Sequence, residues 1–320
     1  MEFRLGKPTR NAFGEALLEL GREDPNIVVV DGDVNNSTRT EYFAQEFPER
    51  FFNFGIAESN LVGVASGLAA SGKTVFAASF ACFIMCNAFD QLRMSVAFPN
   101  LNVKVVGSHS GISIGEDGPS QMGIEDVALA CALPNFMVLV PADEHETRAA
   151  TRAMAGHVGP VYMRTGRPKF PLIYEKGCPF TIGVANLLRS GGDVTLIANG
   201  LMVSKALQAA ETLAQEGIEA RVLDMHTVKP IDREALIAAT RETGAIVTAE
   251  EHLATGGMGS QVARVVAANY PVPVKMVAIE DTYAQSGKPE ELLEEYGLTA
   301  EQIVAAAKEA MSLKKRKPSR

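Results

Sequence analysis

Ile27-Val28-Val29-Val30-Asp31-Gly32 is an unbroken apolar run that stops at an acid and a glycine. Four apolar residues with no polar alternation predict a strand covered on both faces, as in a parallel sheet. The flanking sequence agrees. Upstream, Phe13, Ala16, Leu17 and Leu20 share a helical face, with Thr9 expected as its N-cap and Gly21 as its close. Downstream, short strands at 51–54, 74–79, 103–106, 137–140 and 160–163 alternate with helices at 58–70, 82–97, 124–133 and 144–155. A stretch at 167–180, rich in proline, reads as a linker. Beyond it the grammar resumes, with strands at 194–198, 219–223, 245–249 and 274–279 and helices at 203–216, 233–240 and 259–268. The fold class is therefore α/β in two domains, each a parallel sheet with helices on both faces. The expected spans are 1–174, a linker and domain entry at 175–192, a second domain at 193–310 and a basic tail at 311–320. Ligand-binding groups are expected in the loops just beyond the carboxyl ends of the strands.

Composition narrows the function. Hydrophobic residues make up 47% of the chain and charged residues 21%, which excludes wholesale disorder. Of 30 basic residues, five crowd the last seven positions (Lys314, Lys315, Arg316, Lys317, Arg320), leaving 25 against 38 acids elsewhere. So acidic a body is a poor partner for a phosphate backbone, so no nucleic acid is expected. No apolar run approaches the roughly 18 residues that would cross a bilayer, and residues 1–10 lack a signal-peptide core, so no membrane association and a cytoplasmic location are expected. Cys82, Cys86, Cys131 and Cys178 form no CxxC pair and read as small buried apolar side chains.

Three segments carry chemistry. In Phe51-Phe52-Asn53-Phe54-Gly55-Ile56-Ala57-Glu58, an acid opens a helix among apolar flanks. A carboxyl in a first turn is often there for the helix dipole alone, but one buried among apolar groups keeps its proton and can donate to a heteroaromatic nitrogen. Residues 108–121 form a loop long for an α/β connection, with His109, Glu116, Asp117, Gln121 and four serines, suited to a sugar-like or phosphorylated ligand. Phe80 and Phe83, just after a strand, suit a flat ring, although such a pair taken alone is usually core. The acid-rich turn at 31–36 lacks calcium-loop spacing, and Gly256-Gly257-Met258-Gly259-Ser260 lacks the nucleotide-loop spacings; both read as turns.

Gly55-Ile56-Ala57-Glu58 and Gly115-Glu116-Asp117-Gly118-Pro119-Ser120, followed by Leu133-Pro134-Asn135 and Pro141-Ala142-Asp143, together resemble the thiamine-diphosphate enzymes of the transketolase type. The resemblance covers essentially the whole chain: a pyrimidine-binding domain, then the transketolase C-terminal domain. The family's Gly-Asp-Gly and Asn metal motif has no counterpart here, so the chain looks like the C-terminal subunit of a split transketolase. The resemblance then implies thiamine diphosphate as cofactor, Mg2+ (or Ca2+) on an N-terminal partner subunit, an α2β2 assembly, and sugar phosphates as substrates in carbohydrate (pentose phosphate) metabolism. It implies that Glu58 holds the cofactor's aminopyrimidine, that Phe80 and Phe83 line the pocket, and that Asp31 approaches the cofactor. Arg10, Asn35, His109, Asp117, Gln121 and Arg164 would meet the substrate, with His109 also catalytic and Arg10, His109 and Arg164 around a terminal phosphate. Gln121 stands where the family usually has His, Asn35 where a phosphate-contacting Ser is common, and Cys86 where a third aromatic is common. Other readings are a deoxyxylulose-phosphate-synthase-like part, the β subunit of a 2-oxoacid dehydrogenase, and a non-enzymatic binding protein. The Glu116-Asp117 pair argues against the second and Glu58 against the third.

Overall fold

The Ile27–Asp31 strand is buried along its whole length and pairs in parallel with Phe51–Asn53 on one side and Thr74–Phe80 on the other. It belongs to a seven-stranded sheet of order Thr227–Lys229, Met137–Leu139, Val161–Arg164, Val103–Ser108, Thr74–Phe80, Ile27–Asp31, Phe51–Asn53. All neighbours are parallel except Thr227–Lys229. The structure, a computed structural model, describes residues 2–314. A second, five-stranded sheet runs Val274–Ile279, Ile246–Leu253, Val194–Ala198, Ala220–Asp224, Asn186–Arg189, antiparallel only at its last strand. The expected α/β architecture with two parallel sheets is thus borne out.

The two sheets are joined by more than the linker. Thr227–Lys229 falls in sequence between two strands of the second sheet, Ala220–Asp224 and Ile246–Leu253, yet completes the edge of the first. Lys229 then reaches into the first sheet's layer and donates to the carbonyls of Cys131 and Leu133 at 3.0 and 2.5 Å, satisfying the end of the helix Asp126–Ala132. One apolar core runs from Leu61 and Val96 through Val127 and Leu133 to Leu223, Leu236 and Val262, so burial couples the two halves. Asp143 adds a polar tie. One carboxylate oxygen caps the helix Glu144–Gly156 through the amides of His145 and Glu146, and the other accepts from Ile173 and Tyr174 in the linker.

Several local expectations needed correction. Thr9 is not a cap: the first helix is Thr9–Glu23, preceded by Pro8, and the Thr9 hydroxyl accepts from the Gly166 amide at 2.7 Å. Gly21 does not close that helix, which runs two residues further. The apolar helix expected at 82–97 is broken into Ala81–Asn87, Phe89–Gln91 and a wide turn at Leu92–Ala97. Its sequence is apolar on nearly every side, so no phase change marked the breaks. Two C-terminal helices, Pro289–Glu295 and Ala300–Lys314, add to the expected elements. Ala300, Ile303, Ala307 and Ala310 are the spacing signal of the second, and all four are buried. The second helix takes in the first four residues of the expected tail; the rest, 315–320, lie outside the described residues. All four cysteines are free, but none is fully buried: Cys82, Cys131 and Cys178 are half-buried and Cys86 is exposed.

Candidate active site

From Ile27–Asp31 the chain moves one way to Phe51–Asn53; from Thr74–Phe80 it moves the other way to Val103–Ser108. The crevice where these directions part is where open α/β sheets take ligands. Glu58 lies there, as the first residue of the helix Glu58–Ala70, and it is buried. The turn before it is set by Phe54 donating to the Asp31 carbonyl and by Gly55 at φ 67°, a conformation that favours glycine. Ser79, buried at the end of its strand, donates its hydroxyl to Glu58 Oε1 at 2.9 Å. No other hydrogen bond to the Glu58 carboxyl is made among the described residues. Gly32 completes the cradle: a Cβ there would lie 3.1 Å from Ser79 Oγ and 3.4 Å from Glu58 Oε1.

Phe80 follows Ser79 and links this acid to a basic cluster. Its ring stacks on His109 at 3.9 Å between centroids and on Phe83 at 5.5 Å. A flat ring between two others needs about 7 Å, two contact distances, so nothing inserts between the phenylalanines. Phe83, half-buried at the end of this stack, is the outermost of the three rings. His109, buried and held at φ 57°, meets Ser108 Oγ through Nδ1 at 2.8 Å and Arg10 Nη1 through Nε2 at 3.3 Å. A guanidinium only donates, so Nε2 accepts and the proton sits on Nδ1. Burial, then the charges of Arg10, Arg167 and Arg39, depress the His109 pKa to about 3, so the ring is neutral.

Arg10 is the hub. It donates to the Ser37 carbonyl at 2.9 Å, and its Nε is buried with no partner. Burial, with Arg39 and Arg167 nearby, lowers its pKa to about 10. Arg39 is paired with Glu41 and Arg167 with Asp117, but among the described residues no acid pairs with Arg10. An orphaned guanidinium N–H beside two more arginines is chemistry for an anion.

The other expected residues fall variously around this site. Asp117 is exposed, and its Oδ2 accepts from Arg167 at 3.3 Å. Gln121 is half-buried and accepts from Ser120 at 2.7 Å. Asn35 is half-buried at the start of the short helix Asn35–Thr38. Two of them are held inside the fold. Asp31 is fully buried and accepts from the Val34 amide and the Thr38 and Thr40 hydroxyls, each at 2.8 Å. It shapes the 32–40 loop from inside. Two residues on, Asp33 is exposed at φ 65° and accepts from Asn53 at 2.7 Å, so Asp33 is the acid on the open side. Arg164 is held inward in the same way. It is buried against Asp126 at 2.9 and 3.0 Å and donates to the carbonyls of Gly123 (2.8 Å) and Glu251 (3.1 Å). Arg167, read as the start of the linker, is the arginine that joins Arg10. The rule that site residues follow strands would have found it, since Arg164 ends its strand and Arg167 lies beyond it. Among the described residues, no group of three or more His, Cys, Asp or Glu is placed to hold a metal ion, and no helix is long and apolar enough to cross a membrane.

A two-sheet α/β chain with an acid at the switch point, an aromatic pair and an anion hub defines a thiamine-diphosphate enzyme of the transketolase kind. The family models agree: the transketolase pyrimidine binding domain matches residues 6–171 and the transketolase C-terminal domain matches 183–303. The chain belongs to the transketolase family. Within it, the chain corresponds to the C-terminal section of split transketolases, one subunit of a transketolase-type transferase. It is 44% identical to a putative transketolase C-terminal section of Methanocaldococcus jannaschii, over 95% of this chain and 96% of that one. It is 43% identical to the 6-deoxy-6-sulfo-D-fructose transketolase subunit SqwH of Clostridium sp. (strain MSTE9), over 95% of each. A solved structure described as a split-gene transketolase, an inactive beta4 tetramer, superposes with a TM-score of 0.91 at 50% identity, covering 97% of this chain and all of that one.

Proposed function

We propose that this chain supplies the pyrimidine-binding half of a transketolase active site and, with an N-terminal diphosphate-binding subunit, moves a two-carbon ketol unit from a ketose phosphate to an aldose. The observation that carries the reading is a single line of contacts, Glu58–Ser79 then Phe80–His109–Arg10, running from a buried acid to an arginine without a counter-charge. The acid fits thiamine diphosphate: its buried carboxyl has one hydroxyl partner, on Oε1, and leaves its other oxygen for a ring nitrogen. Bound there, the cofactor supplies the electron sink for breaking and making the carbon–carbon bond. Glu58 holds the proton at the aminopyrimidine nitrogen, and Ser79 fixes the carboxyl's orientation. Phe83 excludes water from one side. Neutral His109 accepts from Arg10 and keeps that guanidinium aimed at the terminal phosphate, with Arg167 beside it and Asp117 near the sugar hydroxyls. Diphosphate and Mg2+ (or Ca2+) bind on the partner subunit, in a cytoplasmic α2β2 assembly that serves pentose phosphate metabolism. The test is reconstitution: ketol transfer is expected when the two purified subunits are mixed with cofactor and metal, and none with either alone. Turnover by this chain alone would overturn the proposal.

A further inference from the structure

The loop that carries His109 and Asp117 is an unfavourable piece of backbone. His109, Gly111, Gly115 and Gly118 all have positive φ, between 57° and 89°. Residues 109–115 are nonetheless buried, so their amides need partners. Some are internal: Gly111 to the Gly123 carbonyl at 2.7 Å and Gly115 to the Ile112 carbonyl at 3.1 Å. The Ser110 amide donates to the Thr165 carbonyl at 3.3 Å, and a further partner comes from the second sheet. Glu251, near the end of the strand Ile246–Leu253, takes the Ser113 amide on Oε1 at 2.5 Å. That carboxylate lies flat against Gly111, where a Cβ would come within 2.2 Å of its carbon. Arg164 holds Glu251 in place, donating twice to its main-chain carbonyl while gripping the Gly123 carbonyl at the far end of the same loop. A second brace from the C-terminal half touches the tip: a Cβ on Gly115 would meet Pro289 at 3.1 Å and one on Gly118 would meet Ser286 Oγ at 2.4 Å.

We infer that Glu251, which belongs to the C-terminal domain and touches no reactant, is a positioning residue: its carboxylate fixes the 110–114 arm, and through it the geometry of His109 and Asp117 around the substrate's phosphorylated end. This rests on the substrate roles given above to those two residues. It also gives the C-terminal domain a task in the reaction, since its acid reaches across to the sugar-binding loop while Glu58 and Ser79 stand apart from it. Glu251→Gln tests the inference, with Gly111→Ala as a second probe that presses on the same carboxylate from the loop side. Peptide-resolved amide exchange of each isolated variant should quicken at residues 109–118 and remain as in wild type elsewhere. In the reconstituted complex, KM for the phosphorylated donor should rise about ten- to a hundredfold, the penalty of a small misplacement. Deuterium exchange at the cofactor's thiazolium C2, which depends on Glu58, should keep its wild-type rate. The inference is overturned if loop exchange or KM is unchanged in both variants, or if exchange quickens across both domains and C2 exchange falls with it. Failure of the underlying substrate reading is separable: the wild-type complex would then show no preference for phosphorylated donors, whatever the variants did.

Discussion

Arg10 and Arg164 flank the same end of the same sheet, and they do opposite things. Around Arg164 every charge is answered: Asp126 takes two N–H groups, backbone carbonyls take the others, and Tyr162 donates to the same carboxylate at 2.5 Å. Around Arg10 the charges are left open, with Arg39 and Arg167 near it, a neutral histidine on Nη1 and nothing on Nε. An arginine whose charge the fold leaves unanswered is a candidate ligand group. The closed region makes a frame; the open region makes a site.

The contrast breaks most visibly at Arg164. Arg164→Ala should cost about 3–5 kcal/mol of stability, because it leaves the Asp126 carboxylate buried and unpaired. Urea unfolding of the isolated chain measures this, and a loss below about 1 kcal/mol would put Arg164 outside the frame. Arg10→Ala should leave the unfolding midpoint near wild type, since it removes an unanswered charge. It should instead raise KM for phosphorylated substrates about tenfold or more, the value of a lost charge-assisted hydrogen bond, and spare unphosphorylated ones. Equal losses with both substrate types would remove the phosphate role.

That difference was out of reach of the sequence. Asp126, which neutralises Arg164, is 38 residues away and declares itself only when the strand Val161–Arg164 and the helix Asp126–Ala132 meet. The same limit explains Asp31 and Asp33: which of two acids in a post-strand turn faces inward depends on Thr38 and Thr40 folding back. Glu58 was legible because local grammar fixes it, a strand, a Gly at positive φ, then a helix start. The sheets were legible because buried parallel strands are apolar throughout. The short edge strand Thr227–Lys229, three residues long, carries too little pattern to be read.

The smallest expected effect concerns protonation. His109 is depressed from 6.5 to about 3, so between those values the unfolded chain binds a proton that the folded chain does not. Stability should therefore fall as pH drops from 6.5 toward 3. His109→Asn removes that contribution and should be on the order of 1 kcal/mol less sensitive to a change from about pH 7.5 to 5. His226, depressed to about 4 by burial, keeps part of the acid limb in place. An acid limb as steep as wild type in the variant would mean that His109 is not held neutral by its arginines.

The most direct test is the rate of deuterium exchange at the thiazolium C2 of thiamine diphosphate in the reconstituted complex, wild type against Glu58→Ala. Holding a proton at the aminopyrimidine is an acid–base task, so the variant should exchange about 10²–10⁴ times more slowly while the subunits still assemble. Exchange at the wild-type rate would contradict the central claim that the buried acid at the switch point activates the cofactor.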